Sequence, residues 1–255
     1  MGMVIGIVGV GLIGGSIGLR ARRNGWSVVG ADSDAAALHE ALARGAIDES
    51  AEAVELPPRV EVLVVAAHLA PTLRELARLR RASGPMPGLI VDVSSVKVPV
   101  VEVAGGLQNF VATHPMAGAE RSGVRASCAD LFDGCAWAYV PSNDSALDAR
   151  ACQFIEALGG TPIAMSADDH DRIVSITSHV PQVVATHYAR LLHRTDAQAE
   201  RLCGPVAREL LRIATMGDTM WRDILAANAA NVSRDLRTLA AELEKAADGL
   251  AAPAG

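Results

Sequence analysis

Short apolar runs alternate with segments of helical spacing along the first two-thirds of the chain. Residues 3–8 form a β-branched apolar run and predict a buried strand. Glycines follow, and residues 12–23 predict a helix ended by Asn24 and Gly25. Residues 26–31 predict a second strand that runs into Asp32. Residues 35–44 predict a helix stopped by Gly45, 60–67 a third strand, 72–81 a helix and 89–93 a fourth strand. Residues 110–113 predict a fifth strand, 136–140 another, 146–158 a helix and 161–165 one more strand. This alternation predicts a parallel sheet with helices on both faces.

After Ser166 the texture changes. Strand-like runs nearly vanish, and the pattern is helical and rich in Ala, Leu and Arg. The run 221–243 carries apolar residues at helical spacing. The expected fold class is α/β, with an N-terminal Rossmann-type dinucleotide-binding domain, 1–166, followed by an all-α domain, 167–255. Residues 249–255 are Ala, Gly and Pro and are expected to fray.

Composition narrows the class. Of 255 residues, 50% are hydrophobic and 20% charged, enough to bury a sizeable core. Aromatics are only 3%, so that core must be aliphatic. The net charge of −6 without a long basic run argues against nucleic acid or a membrane surface as partner. No apolar stretch is long enough to span a bilayer. Cys128, Cys135, Cys152 and Cys203 show no C-x-x-C spacing, so neither a zinc site nor a redox motif is expected. Reduced thiols and an N-terminus without a basic region or cleavage site point to the cytoplasm.

Gly9, Gly11 and Gly14 form G-x-G-x-x-G between the first strand and the first helix. The first permits the tight turn, the second lets backbone approach a pyrophosphate, and the third lets helix and strand pack closely. Leu12 and Ile13 open the helix, whose free N–H groups and positive dipole end would face the phosphates. Asp32, ending the second strand, is placed to accept hydrogen bonds from the adenosine ribose. Ser33 and Asp34 follow with no Arg or Lys for a 2′-phosphate. Repulsion between that phosphate and two carboxylates would cost on the order of 1–4 kcal/mol, so the expected cofactor is NAD. Ala67, ending the third strand, and Ser94, just past the fourth, complete the candidate nucleotide contacts, since ligands bind at the carboxyl ends of such strands.

Four further segments could carry chemistry. Asp92 to Lys97 places Ser94, Ser95 and Lys97 past a strand end, where they could bind a ligand or simply cap a helix. His114, followed by Pro115, Met116, Ala117 and Gly118, is well placed as an acid–base group, or is a structural histidine. Residues 169–172 and 178–182 hold His170, Asp171, His179 and Gln182. Arg212 lies on an apolar helix, where it could clamp a carboxylate or run its stem along the surface; Trp221 and Arg222 follow.

Taken together these motifs resemble the prephenate and arogenate dehydrogenases of tyrosine biosynthesis. The resemblance covers residues 4–243. Its most specific parts are 9–14, 95–97, 114–118 with Glu120 and Gly123, His170-Asp171, Ser178-His179, and Arg212 with 220–224. It implies NAD-dependent oxidative decarboxylation of prephenate to 4-hydroxyphenylpyruvate, or of arogenate to tyrosine. It also implies that His114 is the base at the C4 hydroxyl and that Ser95 helps orient it. Arg212 would bind a substrate carboxylate, with His179 and Gln182 lining the pocket. His170, Trp221 and Arg222 would be supporting residues, and the helical domain would make a homodimer. The family often has a histidine where this chain has Gln182, which bears on the ring-carboxylate contact. The chain ends soon after the helical domain, so no regulatory or chorismate mutase domain is expected. No metal is expected, because ring aromaticity replaces an electron sink. The β-hydroxyacid dehydrogenases share the fingerprint but rely on a lysine early in the helical domain; the lysines here are Lys97 and Lys245. A non-catalytic NAD-binding protein would have no use for His114 and Ser95 together.

Overall fold

The computed structural model describes residues 2–119, 121–195, 198–215 and 218–251. Strands β1 (Val4–Val8), β2 (Ser27–Ala31), β3 (Glu49–Ser50), β4 (Val62–Val65), β5 (Leu89–Asp92) and β6 (Phe110–Val111) form one parallel sheet in the order β3-β2-β1-β4-β5-β6. That order places the reversal of winding between β1 and β4, where such sheets open a crevice for a dinucleotide. Helices α1 (Leu12–Arg23), α2 (Ala35–Ala43), α3 (Leu69–Arg81) and α4 (Val98–Ala104) connect the strands. Two buried apolar clusters pack against the sheet. One joins Ile5, Ile7, Ile17, Val64 and Val91; the other joins Leu63, Val65, Leu76 and Ile90. Both are mainly aliphatic, and the first also takes in Phe132, Trp137 and Phe154.

Two sequence-based boundaries change for identifiable reasons. Helix α3 starts three residues earlier than its apolar spacing suggested, because Pro71 is tolerated in the first turn. The run 110–113 is not one strand. Phe110–Val111 ends the parallel sheet, and Thr113–Pro115 becomes β7 of a second sheet with β8 (Ala136–Tyr139) and β9 (Thr161–Ala164). The switch occurs because the Thr113 N–H donates to the Asp92 carboxylate at 3.0 Å rather than to a neighbouring strand. In the second sheet β7 pairs antiparallel with β8, and β8 parallel with β9. Helix α5 (Ser145–Ala157) packs against β9 and buries Phe154 and Ile155, and Trp137 is fully buried.

The chain divides into two compact units, 1–170 and 171–255, four residues beyond the point where the strand-like pattern stops. The division falls within α6 (Ala167–Val174). A π-helical turn, Ser175–His179, then leads into α7 (Val180–Thr195), followed by α8 (Pro205–Ala214), α9 (Asp218–Ala227) and α10 (Ala229–Ala251). The run 221–243 is therefore two helices. Between them Asn228 turns its amide inward, donating to the Asp171 carbonyl at 2.7 Å. Residues 249–251, expected to fray, continue α10; residues 252–255 lie outside the described set. Among the described residues no helix is long and apolar enough to cross a membrane.

Candidate active site

Three loops at the carboxyl edge of the parallel sheet gather the nucleotide candidates. Gly9 has φ +95, and a Cβ there would lie 2.7 Å from Ala66 backbone atoms and 2.8 Å from the Ala67 nitrogen. Only glycine lets the β1 and β4 loops approach this closely. At Gly14 a Cβ would stand 1.9 Å from the Gly9 carbonyl oxygen, so α1 could not seat against the loop. Gly11 is the N-cap of α1, and neither a side-chain cap nor any atom within 4 Å of its Cβ position fills the space before the helix. The free N–H groups of Leu12 and Ile13 open onto that space, which suits an anionic group.

Asp32 joins the second loop to the first. Its carboxylate accepts the Val10 N–H at 2.8 Å and the Asp34 N–H at 2.9 Å. Each oxygen keeps lone-pair capacity for a ribose hydroxyl. Ser33 is exposed, and Asp34 is the N-cap of α2, accepting the Ala36 N–H at 2.9 Å. The third loop follows β5. There the Ser94 N–H donates to Asp92 at 2.9 Å, and the Ser94 hydroxyl is buried without a hydrogen-bond partner among the described residues. A buried hydroxyl of this kind is a natural contact for a ligand. The glycine cradle, Asp32 and Ser94 together fit a dinucleotide.

His114 sits in the middle of β7, opposite Ala138 of β8, and a buried network fixes its strand. Lys97 and Asp92 are fully buried and paired at 2.6 Å, and Lys97 also donates to the Thr113 carbonyl at 2.6 Å. Thr113 donates its hydroxyl to the Asp92 carbonyl oxygen at 2.5 Å and accepts the Trp137 indole N–H at 3.0 Å. Such a pair is stable only when its remaining hydrogen-bonding capacity is met, and the Thr113 and Ser94 contacts meet it. The Lys97 side chain thus belongs to this network, while its backbone opens α4 as the N-cap. The half-buried His114 ring has Nδ1 3.0 Å from Nε2 of His170, which is 1% exposed. Ser95 is half-buried in the loop after β5 and makes no hydrogen bond among the described residues. Glu120 lies outside the described residues.

The other candidates belong to the helical unit. His179 ends the π-helical turn and is buried, with Nδ1 3.1 Å from the Asn228 amide nitrogen. That amide also donates to Asp171, and its oxygen accepts from Asn231 at 2.8 Å. Asn228 is therefore the donor to His179 Nδ1, which leaves the His179 proton on Nε2. The Trp221 ring meets His179 edge-on, at 5.9 Å between centroids. Gln182 is buried, and its amide donates to the Ile213 carbonyl at 3.1 Å, tying α7 to the end of α8 beside Arg212. Arg212 pairs with Glu209 one turn earlier, Nε to Oε2 at 2.9 Å. This hydrogen bond holds the Glu209 carboxyl below the usual carboxylate range.

Periodicity alone did not single out Thr113, Asp92 or Asn228. The Asp92–Lys97 spacing was visible, but not that the lysine folds back under the strand.

Family models match nearly the whole chain: the nucleotide-binding domain of prephenate dehydrogenase over residues 17–162, and its dimerization domain over 166–252. The chain belongs to the prephenate dehydrogenase family. It is similar to the probable prephenate dehydrogenase NovF of Streptomyces niveus, 36% identical over 98% of the chain and 72% of that protein. It is 32% identical to the prephenate dehydrogenase of Bacillus subtilis over 87% of the chain, spanning 63% of that enzyme's length. Among solved structures, prephenate dehydrogenase of A. aeolicus in complex with hydroxyphenyl propionate and NAD+ superposes with a TM-score of 0.85. It is 25% identical, with 96% of this chain and 89% of that one covered. The family carries the two-domain architecture read from the sequence: a dinucleotide-binding domain and then a helical domain.

Proposed function

We propose that this chain is an NAD-dependent prephenate dehydrogenase that oxidatively decarboxylates prephenate to 4-hydroxyphenylpyruvate. The observation that carries the reading is the placement of His114 on a strand held by the buried Lys97–Asp92–Thr113 network, on the same unit as the glycine cradle. NAD, when bound, supplies the hydride acceptor. Gly9, Gly11, Leu12, Ile13 and Gly14 would hold its pyrophosphate, Asp32 and Ser33 its adenosine ribose, and Ala67 and Ser94 the adjoining contacts.

The chain's own groups then have a defined task. His114 takes the C4 hydroxyl proton as hydride leaves C4 and that carbon acquires carbonyl character. Loss of the ring carboxylate as CO2 returns an electron pair through the ring to the same oxygen. His114 hands the proton back, and the product is a phenol, so the cycle ends with no net proton released. Ser95 orients the hydroxyl, and Arg212 binds a substrate carboxylate with His179 and Gln182 nearby. Charge-assisted pairing of this kind is stronger than a hydrogen bond between neutral groups. The protein works in the cytoplasm as a homodimer through its helical domain.

Initial rates with prephenate and with arogenate, each with NAD and with NADP, test the reading. Turnover of prephenate with NAD at a kcat/KM at least about tenfold above the other three combinations is the expected result; tenfold corresponds to ~1.4 kcal/mol. An arogenate preference of that size would overturn the choice of substrate.

A further inference from the structure

The His114 ring has a partner that the reaction above does not use. Its Nδ1 lies 3.0 Å from Nε2 of His170, with ring centroids 5.1 Å apart and planes crossed at 65°. His170 is held from its own side: it is buried in the first turn of α6, and its backbone N–H donates to the Ser166 carbonyl at 2.9 Å. Two ring nitrogens at that distance need one proton between them. Two lone pairs would repel, and so would two N–H groups. A neutral pair therefore has two arrangements. In one, His170 donates from Nε2, and His114 carries its own proton on Nε2. In the other, His114 donates from Nδ1, and its Nε2 is a bare lone pair. Only the second leaves His114 able to take a proton from a substrate hydroxyl.

We propose that His170 is the positioning residue of the reaction: it accepts a hydrogen bond from His114 Nδ1–H and so holds His114 in the base-competent tautomer. The proposal rests on the reading of His114 as the base. As the substrate O–H bond breaks and His114 Nε2–H forms, the ring becomes an imidazolium, and its Nδ1–H bond to His170 becomes charge-assisted and stronger. When the proton returns to the ring oxygen, Nε2 is bare again and the pair is restored. The histidine does the orienting work that a carboxylate does in the serine-protease triad, without adding a fixed negative charge beside a substrate that is itself an anion. His179 offers the contrast. Asn228 donates to its Nδ1, so its proton is on Nε2, and it serves as a donor toward its surroundings rather than as a base.

The test uses the full chain labelled with 15N-histidine, with the His114 resonances assigned from a His114→Asn spectrum. In the wild type at a pH where the ring is neutral, the expected signature is a protonated Nδ1 and a bare Nε2. His170→Phe, which cannot accept, is expected to move His114 toward the Nε2–H form. It should lower kcat about 10–100-fold, the range for removing a partner that orients a working imidazole, with KM for NAD within about twofold. His170→Gln presents an amide oxygen as acceptor and is expected to keep the wild-type tautomer and most of kcat. A wild-type His114 protonated on Nε2 overturns the proposal. So does an equal loss of kcat in both variants with the tautomer unchanged. The wild-type spectrum decides even if the Phe variant does not fold. It also separates the two readings: a bare Nε2 in a protein that does not turn over prephenate would sink the reaction and leave the pair standing.

Discussion

The two units of this chain use polar groups in opposite ways. In the dinucleotide-binding unit the charged groups beneath the His114 strand are buried and satisfied by their neighbours, while the buried Ser94 hydroxyl has no partner among the described residues. Lys97, Asp92 and Thr113 form a closed network under the His114 strand, and Asp32 spends contacts on two backbone N–H groups of its own loops. In the helical unit the candidate anion contact, Arg212, has a half-exposed side chain held by an exposed glutamate one turn away. That unit also leaves large apolar side chains in the open: Leu191, Leu202 and Val206 are 58%, 88% and 78% exposed, and α8 buries none of its residues. The first unit thus fixes the His114 strand through buried pairs. The second leaves a half-exposed arginine and large exposed apolar side chains along its helices. Substitutions in the first should act on kcat and nucleotide use, and those in the second on KM and assembly.

The largest expected effect sharpens that division. His114→Asn should retain NAD binding while kcat falls by roughly 10²–10⁴, the usual contribution of a general base. Measured kcat within tenfold of wild type would remove His114 from the chemistry. Arg212→Gln should act in the other sense. KM for prephenate should rise about tenfold or more, with kcat falling far less, because it removes binding shared by ground and transition states. If kcat falls as much as KM rises, the helical unit contributes to the transition state and the division fails.

Asp32→Ala touches both cofactor choice and loop order. It removes the proposed ribose acceptor and strands the Val10 and Asp34 N–H groups. The preference for NAD over NADP, expected to be about tenfold or more, should relax, and Tm should fall. An unchanged nucleotide ratio with a lowered Tm would reduce Asp32 to a loop clamp.

Glu209→Gln removes the charged neighbour of Arg212 and should lower KM for prephenate by about two- to threefold, since exposed ion pairs are weak. The same competition has a pH sign. Glu209 is held below the usual carboxylate range by Arg212, so the pair is intact above the ordinary glutamate pKa and is lost as pH falls through the depressed value. The KM difference between Glu209→Gln and wild type should therefore shrink toward low pH; a difference that grows there would contradict it. The smallest effect is expected from Gln182→Leu. Its amide is engaged with Ile213, so loss of that hydrogen bond should cost about 1 kcal/mol of stability, read as a Tm shift of roughly 2–4 °C. A KM change as large as that of Arg212→Gln would make Gln182 a substrate contact after all.

Much of this molecule was legible in its sequence. The glycine spacing, the aspartate ending β2 and the alternation of runs require only local geometry: a tight turn, a close approach of backbones, and a period of two or of 3.6 residues. Helix α1 has the bounds its pattern suggests, and the change of texture after Ser166 marks the loss of strands. Tertiary structure decided what no local period encodes. Thr113 leaves the parallel sheet because Asp92, 21 residues earlier, takes its N–H. Asn228 breaks a continuous apolar pattern because Asp171 and His179 claim its amide. Gln182 points at the Ile213 carbonyl, and His114 meets His170 across 56 residues of chain. Each of these is a hydrogen bond between groups distant in sequence, and desolvation makes such bonds obligatory only after the fold has buried them. The residues proposed for the chemistry could therefore be named from the sequence, while the His114–His170 pairing on which the proposed tautomer rests required the fold.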